Sequence, residues 1–124
     1  MPIQMKWTFI VNICLFCNLS GSPEIEFFEK KIRPILVDNC YQCHSEENKI
    51  KGNLRLDWRG GWLSGGDSGQ AIIPGQLGKS LLIQAIRHGN NELQMPPKKK
   101  LSAQQIEDLE KWVVMGAPDP RTSE

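Results

Sequence analysis

Cys40 and Cys43, followed at once by His44, are the residues of this 124-residue chain whose types and spacing can act together chemically. The stretch Cys40-Tyr41-Gln42-Cys43-His44 has the pattern by which a c-type haem is attached. Covalent attachment needs two thiols that reach two vinyl groups on one edge of a flat macrocycle. On a helical turn, positions i and i+3 project from one face, which suits Cys40 and Cys43. His44, at i+4 from Cys40, faces the same way and offers its imidazole to the iron from one side. Tyr41 and Gln42 are spacers. A CxxC pair alone would also suit a zinc half-site or a redox dithiol; the adjacent histidine points to one covalent haem c with its iron.

Iron held by His44 has an opposite face to fill. Downstream of the motif the chain offers Met95, Met115 and His88. Met115 lies one residue before the stop of the last predicted helix, where methionine is ordinary core filler. Met95 precedes Pro96-Pro97, and proline disfavours the helical conformation in the residue before it. The proline pair holds a stiff, extended segment that can present a thioether at a fixed place. Met95 is therefore the expected sixth ligand. His88 would instead give a bis-histidine site of lower potential, and an open sixth position is the remaining alternative. With both faces filled, one-electron exchange is the expected chemistry, with redox proteins as partners and no small-molecule substrate. An open position would mean a peroxidase-like or gas-binding site.

The other cysteines, Cys14 and Cys17, repeat the CxxC spacing and together with Cys40 and Cys43 resemble a four-thiolate zinc or dithiol module. They lie among Ile13, Leu15 and Phe16, within an apolar run over residues 7–16. Lys6 is the only charge before Glu24, and Ser20, Gly21 and Ser22 follow the run. That order of charge, apolar run and small residues is that of a secretory leader, expected over residues 1–22. The run is too short to span a bilayer comfortably, so membrane association is expected only if the leader is kept. Removal of the leader takes the first cysteine pair with it and leaves two thiols for haem. The expected location is exported, periplasmic or otherwise extracytoplasmic. Lys and Arg total 15 against 14 Asp and Glu, so nothing in the charge suggests nucleic-acid binding.

The elements that must position these residues are mostly helical. Ser22-Pro23 suits a helix start, with Ser22 as N-cap and Pro23 at the first position. Ile25, Phe28, Ile32 and Ile35 recur at helical spacing, and Pro34 is expected to end or kink this helix just before the motif. Residues 54–69 are rich in glycine and predict a long irregular loop, with Trp58 and Trp62 either covering a haem or packing a small core. Gly78-Lys79-Ser80 echoes the end of a phosphate-binding loop, but Ile73 stands where its first glycine is needed. Ser80 instead predicts the N-cap of a helix over residues 81–88, closed by Gly89. Ser102 and Gln105 form a capping box for a last helix with Ile106, Leu109, Trp112 and Val113 as its apolar stripe. Gly116 and Pro118 stop it. Phe28 or Ile32 is expected to meet Leu109 or Trp112. The chain from Asp119 onward is polar and expected to be loose, with residues 121–124 outside a domain spanning 23–120. Lys98-Lys99-Lys100 is either a solvated turn or a basic rim that steers an acidic redox partner.

Further residues place the chain beside a known family. Ile32-Arg33-Pro34-Ile35-Leu36 leads into the Cys40–His44 motif, and Gly52-Asn53-Leu54-Arg55-Leu56-Asp57 follows. Gly65-Gly66-Asp67-Ser68-Gly69, Ile73-Pro74-Gly75 and Lys79-Ser80-Leu81-Leu82-Ile83 come next. Met95-Pro96-Pro97 and Trp112-Val113-Val114-Met115-Gly116-Ala117-Pro118 complete the series. In this order the motifs resemble the planctomycete-type cytochrome c domain, within the class I cytochromes c. The resemblance implies a small, mostly α, cytochrome c-like haem domain with a long Gly-rich loop insertion between the haem motif and the distal methionine. It also implies Cys40 and Cys43 as thioether sites, and His44 and Met95 as axial ligands.

Overall fold

A computed structural model describes residues 21–122 of the chain. The predicted leader, with Cys14 and Cys17, lies outside the described residues. Every regular element among those described is helical; extended pairing is limited to two isolated bridges, His44 with Ile50 and Gly66 with Gly69.

The chain enters through α1 (Pro23–Phe27), capped by the Ser22 hydroxyl, which accepts the Ile25 N–H at 3.2 Å. A π-helical turn (Phe28–Ile32) joins it to α2 (Arg33–Asn39), and the junction residues keep helical backbone angles. Pro34 therefore neither ends nor breaks the helix. A proline inside a helix lacks an N–H and crowds the carbonyl four residues back. Just before it the turn widens, so that the Arg33 N–H donates to the Phe28 carbonyl instead. Ion pairs from Glu26 to Lys30 and from Glu29 to Arg33 line the exposed face. Phe28, Ile32, Ile35 and Leu36 are buried on the other.

The last helix, α5 (Ala103–Val114), starts with the expected reciprocal capping box between Ser102 and Gln105. It ends in a Schellman turn: the Gly116 N–H reaches the Val113 carbonyl, and the Ala117 N–H reaches the Trp112 carbonyl at 2.9 Å. Gly116 takes φ +100°, which is why a glycine stands there. The two end helices meet as expected, with Phe28 and Trp112 ring centroids 5.8 Å apart. Trp62 approaches Trp112 edge-on at 5.9 Å and is fully buried.

The glycine-rich middle is not one irregular loop. It contains the short helix α3 (Arg59–Ser64), which carries Trp62 into the core. Trp58 folds its ring over Gly60 and Gly61, where any Cβ would collide with the indole. Trp62 thus packs the core, and Trp58 packs against the backbone of α3.

α4 (Leu81–Ile86) is shorter than predicted. Ser80 occupies its N-cap position, but its hydroxyl turns back to the preceding loop, donating to the Gln76 carbonyl at 2.7 Å and accepting the Ile73 N–H at 3.0 Å. After α4 the left-handed residue is His88, at φ +55°, and not Gly89.

The chain beyond α5 is buried where looseness was expected. Asp119 and Arg121 are 7% and 8% exposed. They form a bidentate ion pair, with the Trp62 indole N–H also donating to Asp119 at 2.9 Å. Arg121 donates further to the Tyr41 hydroxyl at 2.6 Å and the Leu56 carbonyl at 2.8 Å. A polar sequence hid this, because burial of an ion pair depends on partners that are distant along the chain. Burial would raise the Asp119 pKa, but the hydrogen bonds from Arg121 and Trp62 outweigh it and hold the carboxyl below its ordinary 3.8. That contribution to stability is present above pH 3.8 and is lost as pH falls through the depressed folded value. Arg121→Ala leaves a buried carboxylate unpaired and is expected to cost about 3–5 kcal/mol in urea unfolding. Asp119→Asn is expected to flatten the loss of stability on acidification below pH 3.8.

Candidate functional site

Helix α2 ends at Cys40, its C-cap, and the chain makes one more helix-like turn. The Cys43 and His44 N–H groups both donate to the Cys40 carbonyl, at 3.1 and 3.0 Å. This turn sets Cys40, Cys43 and His44 along one wall of a cleft of about 260 Å³. Leu54 and Leu56 follow on the same lining, and the loop from Gly66 to Gly69 adds a second side. α4 supplies Leu81, Leu82, Ala85 and Ile86, and Met95 closes the lining together with Pro96 and Pro97. The four residues singled out in the sequence therefore share one cleft. His88 and Met115 are not among its lining residues.

His44 is held from behind. Its Nδ1 lies 3.1 Å from the Leu54 carbonyl oxygen, which can only accept, so Nδ1 carries the proton. The tautomer this fixes leaves Nε2 with its lone pair free, the state needed to bind a metal. The Leu56 N–H returns to the His44 carbonyl at 2.8 Å, so residues 54–56 grip His44 at side chain and backbone together. Lys51 donates its N–H to the Cys43 carbonyl at 2.7 Å, which secures the other end of the turn.

A clamp missed in the sequence stiffens this strip. Arg55 binds Asp57 through two hydrogen bonds, at 3.0 and 2.9 Å. Asp57 also accepts the Glu46 N–H at 3.0 Å, just past the motif. Burial would raise the Asp57 pKa, yet the hydrogen bonds from Arg55 and Glu46 keep it below the usual aspartate value. The run Gly52-Asn53-Leu54-Arg55-Leu56-Asp57 thus braces the histidine. Its only sequence signal was its recurrence as a motif of the resembled family.

The thiols of Cys40 and Cys43 are free. Burial pushes the Cys40 thiol up to about 12, and the neighbouring Cys43 adds to the effect. The sulfur is thus kept as a neutral thiol at an apolar wall. Two free thiols, an imidazole with Nε2 available, a thioether and aliphatic walls fit a c-type haem, and the sequence order of the donors fits too. A four-thiolate metal site would need Cys14 and Cys17, which lie outside the described residues.

Gly66 shows why glycine is required on the second wall. A Cβ there would come within 2.5 Å of the Gly52 carbonyl oxygen and 3.0 Å of the Leu54 Cβ. Gly66→Ala must push the loop off residues 52–54, the strip that holds His44. The expected cost is about 1–3 kcal/mol in chemical unfolding, with no effect of that size from Gly78→Ala, whose Cβ position is open.

Residues 40–99 match the family described as Planctomycete cytochrome C. Comparisons with curated proteins and with solved structures return no match. The matched stretch begins at Cys40 and runs past Met95, so it takes in every wall of the cleft. Such a domain implies a covalently bound haem. Residues 40–99 of this chain, the segment that builds the site, are thus similar to the planctomycete cytochrome C family.

Proposed function

We propose that this protein is an extracytoplasmic monohaem cytochrome c that transfers electrons between redox proteins. Cys40 and Cys43 are the thioether sites, His44 the proximal ligand and Met95 the distal one. The observation that carries this reading is the convergence of these four residues on one apolar cleft, with His44 Nδ1 committed to Leu54. The bound haem supplies reversible one-electron exchange at iron. The chain's own task is to present two sulfurs, hold His44 in one tautomer, and exclude water with the side chains of α4 and residues 54–56.

A thioether from Met95 favours ferrous iron and raises the reduction potential. It also fills the face that oxygen or peroxide would use, which supports a carrier and not an enzyme. His88 is a poorer candidate for that face, because its Nε2 lies 3.0 Å from the Met95 carbonyl oxygen. The exposed run Lys98–Lys100 follows closely on Met95 and suits an acidic partner. Residues 1–22 act as an export leader in this reading. Among the described residues no helix is long and apolar enough to cross a membrane.

Met95→Ala, matured in a host that attaches c-type haem, is expected to keep the covalent haem and lose the weak far-red charge-transfer band of a ferric iron–thioether bond. It is expected to bind carbon monoxide when reduced, which the parent resists, and its midpoint potential is expected to fall. Rapid, complete binding of carbon monoxide by the unmutated protein would count against Met95 and favour a gas-binding or peroxidase-like site.

A further inference from the structure

Met95 is 41% exposed, so packing alone does not hold its side chain at one place over the cleft. Its backbone, however, is tied at both polar atoms to the end of α4. The Met95 N–H donates to the Ala85 carbonyl at 3.0 Å. The Met95 carbonyl lies 3.0 Å from His88 Nε2, and a carbonyl oxygen can only accept, so His88 donates. His88 reaches this position from a left-handed backbone, φ +55°, one residue past the Arg87 C-cap. Non-glycine residues take that conformation at a cost, usually where something else fixes them. The loop between is braced separately, with the Glu92 N–H on the Asn90 side chain at 2.9 Å and the Leu93 N–H on the Asn90 carbonyl at 3.1 Å.

α4 lines the cleft with Leu82, Ala85 and Ile86. The element that forms the cavity wall is thus also the anchor for the methionine facing it. We infer that His88 is a positioning residue, a latch that fixes the Met95 segment to α4 and so keeps the thioether in place over the cleft. The inference rests on the proposed role of Met95 as the sixth ligand. A single hydrogen bond to an exposed loop shifts a local open–closed equilibrium by several-fold, and leaves the core untouched.

The test compares the haem-loaded parent, His88→Asn and Met95→Ala. Asparagine tolerates the left-handed backbone but is too short to replace the imidazole, so the variant removes the bond and keeps the turn. The readouts are the far-red iron–thioether band, the rate of cyanide binding to the ferric protein, and thermal unfolding. His88→Asn is expected to weaken the band and speed cyanide binding about three- to tenfold, with unfolding close to that of the parent. Met95→Ala is expected to abolish the band. A parent with no such band, or a band that survives in Met95→Ala, would overturn the ligand assignment and the latch together. A parent band lost in Met95→Ala but unchanged in His88→Asn, with unchanged cyanide kinetics, would overturn the latch alone. Equal loss of overall stability and of the band in His88→Asn would also overturn it, since the residue would then merely hold the fold.

Discussion

The site depends on the hydrogen bond from His44 Nδ1 to the Leu54 carbonyl. An imidazole has two nitrogens, and only when one is committed as a donor is the other defined as a ligand. The bond also fixes the rotation of the ring, and therefore the side from which a metal can approach. Its acceptor belongs to a strip of irregular backbone, which has no ladder of its own to keep it straight. The Arg55–Asp57 clamp, the Leu56 N–H on the His44 carbonyl, and the tight passage of Gly66 past Gly52 supply that stiffness.

The helices serve this strip at one remove. α2 delivers Cys40 at its C-terminal end, and the contact of α1 and its π turn with α5 holds α2 still. The C-terminal segment closes the structure in a way that reaches the motif itself. Arg121 joins Asp119, the Leu56 carbonyl and the hydroxyl of Tyr41, a residue that lies between the two cysteines. Tyr41 is thus not an idle spacer. The buried ion pair is stabilising only as a complete set, because either partner alone would be a charge without compensation.

Much of this was legible in the sequence wherever the signal was local. The Ser22 cap, the Ser102–Gln105 capping box and the stop at Gly116 follow from chemistry within four residues, and each was found as expected. The apolar stripes predicted the Phe28–Trp112 contact, because helical periodicity fixes which side chains face inward. Illegible features depended on contacts across the chain. α3 was hidden by its glycines, which are poor helix formers and are kept here because Trp58 and Arg55 leave no room for a Cβ. Ser80 looked like a cap but found better partners in Ile73 and Gln76, and Pro34 was absorbed by a π turn. Of the candidate site, the sequence singled out Cys40, Cys43, His44 and Met95, and these four line one cleft. The residues that hold them, Leu54, Asp57, His88 and Arg121, act through backbone carbonyls or distant pairs and leave no such mark.

The most direct measurement is the mass of the proteolytic peptide containing Cys40 to His44, taken from protein matured in cells that attach c-type haem. The expected result is one haem carried on that peptide by two thioether bonds, with both cysteines resistant to alkylating reagents. The same peptide recovered without haem, with both thiols open to alkylation, would contradict it.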